Sequence, residues 1–121
     1  MAHDINGIDI STYLVKDAVR AKAFYRDVMG MRPTWEAEQG AEYTLNDGAT
    51  FGIWQPDDDS FVPSRGVMFS VDDAKAAAEH YRSRGASIDD EIFESPVCFM
   101  AFGEDTEGNR FILHQRKGAT H

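Results

Sequence analysis

Hydrophobic and polar positions change period along this chain in a fixed order, and the order occurs twice. Residues 8–15 are rich in Ile, Thr, Tyr and Val, which predicts a strand. Asp17 then stands where a helix N-cap belongs, and Ala21, Phe24, Tyr25 and Val28 follow at helical spacing until Gly30. Three short strands are predicted next, starting at Pro33, over 41–45 and over 50–55, with turns at Gln39-Gly40 and Asn46-Asp47-Gly48. Residues 56–65 carry neither period and read as a polar, proline-bounded connector. The order then returns, with a strand over 67–71, a cap at Asp72 or Asp73, and a stripe of Ala74, Ala77, Ala78 and Tyr81 ended by Gly85. Strands over 88–93, 96–102 and 110–115 complete it. The last strand of each unit carries the same closing motif, Phe51 to Gln55 and Phe111 to Gln115.

The expectation is one α+β domain over residues 1–121, built from two tandem βαβββ modules of about 8–55 and 66–115. Their curved mixed sheets would enclose a central cleft, with one helix packed outside each sheet. Strand alternation sends Phe111 and Leu113 to the core, and Arg110, Ile112 and His114 to the cleft. The same pleat places Thr12, Leu14, Thr50, Trp54, Met68 and Ser70 inward. Thr12, Leu14, Trp54, Met68, Ser70, Arg110 and His114 are therefore the candidate ligand-binding residues, a mostly apolar set with a few polar groups. Trp54 and His114 hold corresponding places in the two modules. Trp54 would stack on a planar ligand or fill the core. His114 reads two ways, as a catalytic acid or base near neutral pH, or as a structural residue donating to a carbonyl. Arg110 would clamp an anion, or pair with a loop carboxylate such as Glu104 or Asp105.

Composition narrows the class. A net charge of −9 argues against nucleic acid and anionic membrane surfaces, and favours a cationic ligand over an anionic one. The single cysteine, Cys98, excludes an internal disulfide and a Cys-rich zinc site. No apolar run is long enough to span a bilayer, and the start lacks the order of a signal peptide, so a cytoplasmic location is expected. His3 and His121 fall in the tails and His80 on a helix, with no metal-binding spacing among them.

Two motifs carry a family resemblance. The stretch from Asp17 through Phe24-Tyr25-Arg26-Asp27-Val28-Met29-Gly30-Met31 resembles the first-helix signature of the vicinal oxygen chelate superfamily. Asp105-Thr106-Glu107-Gly108-Asn109-Arg110-Phe111 is similar to that family's turn before the last strand. Glyoxalase I, extradiol dioxygenases, fosfomycin-resistance enzymes and bleomycin-binding proteins belong to it. The resemblance implies the two-module fold and, for the family's enzymes, four metal ligands facing the cleft. Those positions correspond here to Ile10, Gly52, Gly66 and Ile112, none of which offers a donor side chain.

Three functions follow. The first is a cofactor-free binding protein holding an apolar or aromatic small molecule, neutral or cationic. The second is a metal-dependent enzyme of the glyoxalase or dioxygenase kind. The third is a metal-free enzyme using His114 as acid or base. A homodimer is expected in each case.

Overall fold

The computed structural model describes residues 2–118; His121 lies outside them. The first module contains β1 (Ser11–Leu14), α1 (Ala18–Ala23), β2 (Pro33–Ala37), β3 (Gly40–Thr44) and β4 (Thr50–Trp54). The second contains β5 (Val67–Ser70), α2 (Ala74–Ser83), β6 (Ser87–Glu94), β7 (Cys98–Glu104) and β8 (Arg110–Arg116). Two four-stranded mixed sheets result, ordered β1-β4-β3-β2 and β5-β8-β7-β6, and they do not close into a barrel. In each, the module's first and last strands pair in parallel and the remaining pairs are antiparallel. Ser11 pairs with Phe51 and Val67 with Phe111, so β1 maps onto β5 at fifty-six positions and β4 onto β8 at sixty.

The helix starts are built alike. Asp17 accepts from the Arg20 amide at 3.1 Å and Asp73 from the Ala76 amide at 3.0 Å. The repeated glutamines also match, since Gln55 accepts from the Ala18 amide and Gln115 from the Ala74 amide, both at 2.8 Å. Each closing strand thus satisfies a first-turn donor of its own module's helix.

Two expectations needed adjustment. Residues 8–10 form an extended arm with no strand partner, so β1 is shorter than residues 8–15. The first helix is not α-helical throughout, because Phe24–Val28 widen into a π turn in which the Met29 amide donates to the Phe24 carbonyl. That turn puts two consecutive aromatics, Phe24 and Tyr25, on the buried side. Gly30 follows at φ 71°, a left-handed conformation that suits glycine.

The helix-bearing faces of both sheets share one core. Phe51 meets Phe69 edge-on at 5.1 Å, and Phe24 lies 6.5 Å from Phe111, so the aromatic packing crosses from one module to the other. Tyr13 of β1 joins the sheets more directly. Its hydroxyl donates to the Arg110 carbonyl at 2.6 Å and accepts from the Val67 amide at 2.8 Å. It thereby bridges the start of the β5–β8 ladder.

A buried polar cluster locks the same junction. The turn between β7 and β8 presses Asp105, Glu107 and Asn109 onto the first module, and all three are buried. Tyr25 donates to Asp105 at 2.6 Å, and Asn109 donates to the Leu14 carbonyl at 2.8 Å. Glu107 accepts from the Lys16 and Asp17 amides at 2.9 and 2.7 Å and from Arg20 at 2.7 Å. Burial pushes the Glu107 carboxyl up, but hydrogen bonds from Arg20, Thr106 and the Asp17 amide, with the Arg20 charge, hold it below the usual carboxylate range. Burial and the adjacent Asp105 carboxylate push the Tyr25 hydroxyl well up, so it stays a donor.

Candidate functional site

Opposite the shared core, each sheet presents a second face, its front. Thr12 is level with Gly52 and Leu14 with Trp54 on the first sheet. On the second, Met68 is level with Ile112 and Ser70 with His114. All seven candidate residues lie on these fronts, since Phe51, Ile53, Phe111 and Leu113 turn the other way into the core. Two pairs of them are cross-strand neighbours, Leu14 with Trp54 and Ser70 with His114, while Thr12, Met68 and Arg110 stand level with Gly52, Ile112 and Glu104.

The fronts differ in what surrounds them. Trp54 is 37% exposed and Met68 53% exposed, whereas His114 is only 9% exposed. Met100, level with His114, and Phe102, level with Ile112, widen the apolar surface of the second front. Phe93, level with Met100, is 48% exposed on the same side. Beside it a cavity of about 740 Å³ is lined by Phe93, Phe102, Asp89, Asp90, Glu91 and Glu94. Alternation in β6 and β7 was the signal that could have found Phe93 and Phe102 from the sequence, but the acidic run Asp89-Asp90-Glu91 masks it.

Arg110 spans two carboxylates, 3.4 Å from Asp89 and 3.6 Å from Glu104. Its charge is therefore already paired at the start of β8, with strand carboxylates of β6 and β7; of the two loop partners expected for it, Glu104 is met and Asp105 is not. Cys98 is buried, with its sulfur 3.2 Å from the Ser95 hydroxyl.

The four positions where the family's enzymes hold a metal do not fit one. Ile10 lies over Gly52, with its Cγ2 3.4 Å from where a Cβ at Gly52 would stand, and the Thr12 hydroxyl is 3.3 Å from that point. Gly66 and Ile112 complete the set without a donor. Among the described residues no three His, Cys, Asp or Glu side chains converge as a metal site would need.

Neither the cavity beside β6 nor a second, at the module junction, is lined by Trp54 or His114. No helix among the described residues is long and apolar enough to cross a membrane.

Comparison with known proteins agrees with this fold. The chain is similar in fold to TnmS3, an antibiotic binding protein from Streptomyces sp. CB03234, with a TM-score of 0.81 and 20% identity over 93% of this chain and 98% of that one. It is similar to the fosfomycin resistance protein FosX from Mesorhizobium loti, with a TM-score of 0.68 and 20% identity over 97% of each. It is also similar to a lactoylglutathione lyase from Agrobacterium tumefaciens, with a TM-score of 0.71 and 18% identity over 92% of this chain and 94% of that one. No curated protein matches the sequence. The family model of the Glyoxalase/Bleomycin resistance protein/Dioxygenase superfamily matches residues 7–113, nearly the whole chain, and the protein belongs to that superfamily.

Proposed function

We propose that this protein binds a small apolar or aromatic molecule, neutral or cationic, on the front faces of its sheets, without a metal. The observation that carries this reading is Ile10 lying over Gly52. Where the family's enzymes place two donors, this chain places a hydrocarbon contact. The surrounding surface suits the same ligand class. Trp54 and Phe93 offer partly exposed rings for stacking, and Met68 and Met100 an adaptable lining. Asp89, Asp90, Glu91 and Glu94 give one end of that surface a negative field that favours a cation. TnmS3 is an antibiotic binding protein built on this fold, which supports a binding role here.

The two modules meet through their helix-bearing faces, which leaves Trp54, Met68 and Phe93 open to solvent. We infer that a second copy of the chain covers the fronts and that the working form is a homodimer, with Trp54 of one copy opposite His114 of the other.

The test uses Trp35→Phe protein, in which Trp54 is the sole tryptophan. Titration with planar polycyclic aromatics, cationic and neutral, is expected to change its fluorescence saturably, and sedimentation to give a dimer. Saturable binding that leaves Trp54 emission unchanged would contradict the assigned site; a monomer at ligand-saturating concentration would contradict the assembly.

A further inference from the structure

The repeat is symmetrical in its strands but not at its two junctions. At one, the turn between β7 and β8 seals the free edge of β1 with Asp105, Glu107 and Asn109. At the other, the corresponding turn between β3 and β4 carries Leu45, Asp47 and Ala49, and these stand back from β5. An open cavity of about 1010 Å³ lies between them.

The sealed junction shows what the open one lacks. Asn109 reaches the Leu14 carbonyl at 2.8 Å, whereas its counterpart Ala49 has no group to offer the Ser70 carbonyl. Glu107 accepts from the amides of Lys16 and Asp17, but its counterpart Asp47 folds back to accept from the Ala49 amide at 2.9 Å. Among the described residues the equivalent amides, of Asp72 and Asp73, receive no such carboxylate. Asp105 takes the Tyr25 hydroxyl, whereas the matching pair, Leu45 and Tyr81, lines the cavity wall with no such bond between them. β5 pairs with β8 alone among the described strands. Because the Val71 amide bonds toward β8, the peptide groups of Met68 and Ser70 face the cavity. Met29, Met31 and Phe69 give it an apolar wall.

We propose that this junction is a second small-molecule site, sharing Met68 and Ser70 with the front but none of its aromatic residues, that takes an apolar ligand bearing an amide. The ligand's N–H meets the Ser70 carbonyl, its carbonyl meets the Asp72 amide, and its hydrocarbon part lies on the methionines. It is neutral or cationic. Asp47 and Asp72 outnumber Arg32 in the lining, and where the sealed junction has Arg20 to hold a carboxylate, this one has Ala76. Its amide contacts lie on the free edge of β5, away from Trp54, Phe93 and Phe102.

The probe is N-acetyl-leucine methylamide, added to the full-length ¹⁵N-labelled chain, with N-acetyl-leucine as its charged comparison. The neutral probe is expected to shift the Leu45, Met68, Ser70 and Asp72 amides saturably, and the carboxylate to bind at least about tenfold more weakly. Leu45→Asp with Ala49→Asn recreates the sealing side chains and should weaken the probe about tenfold or more, as should the cavity-filling Met31→Trp. Undiminished binding in a folded variant, equal binding of the two probes, or no saturable shift at these amides would overturn the proposal. So would β5 amides that move with protein concentration and not with probe, which would place a second copy there.

Discussion

Tyr25 and Asp105 are 80 positions apart in the chain and 2.6 Å apart in the fold. The first lies on the π turn after α1, the second on the turn entering β8, and their hydrogen bond ties the modules together inside the core. Tyr25→Phe removes one charge-assisted bond and leaves Asp105 with its contacts to the Glu107 and Asn109 amides. The expected loss is about 2 kcal/mol, read as a lower urea midpoint at unchanged slope.

Glu107 makes this junction pH-sensitive. Its folded-state pKa is depressed. Its contribution is therefore fully present above the unfolded glutamate value of about 4.3 and is lost as pH falls through the folded value. Thermal midpoints of the native protein should drop across that acidic window. In Glu107→Gln the drop should be smaller, because the carboxylate that drives it is gone, and stability at pH 7 should fall by about 2 kcal/mol. Equal acid sensitivity in the two proteins would assign the effect to other carboxylates.

Much of the fold was legible because period and punctuation agreed. Helical spacing in Ala21, Phe24, Tyr25 and Val28, the caps Asp17 and Asp73, and the Asn46-Asp47-Gly48 turn each have a local cause, and local causes survive in a sequence. The paired glutamines were visible as an echo, but their bond to a helix amide was not, because that depends on where the next helix begins. The junction cluster was less visible still. Asp105, Glu107 and Asn109 look like ordinary turn residues, and only tertiary packing turns their side chains toward the first module. Strand alternation identified the front faces. Which faces of the two modules meet is a long-range choice that no local period encodes.

Gly103 tests the packing of the second module. A Cβ there would stand 2.5 Å from the Phe111 ring, which is buried in the core and has no room to retreat. Gly103→Ala should cost about 2 kcal/mol, measured by thermal or urea unfolding. A neutral substitution would show that β7 shifts freely against β8.

Trp54 and His114 separate binding from catalysis. Trp54→Ala should weaken an aromatic ligand by about 1–2 kcal/mol through lost stacking, a roughly five- to thirtyfold rise in Kd by fluorescence-independent titration. His114→Ala should weaken the same ligand in the same titration, whereas loss of turnover of a found substrate with unchanged affinity would assign His114 a catalytic role.

The most direct test of metal-free binding is calorimetric titration of a planar aromatic ligand into protein stripped with chelator, repeated after adding zinc, manganese or ferrous iron. The expected result is saturable binding to the stripped protein, unchanged by any of the ions and without chemical conversion of the ligand. Binding or turnover that appears only once an ion is restored would contradict metal-free binding, and would place the ion's ligands on residues other than Ile10 and Gly52.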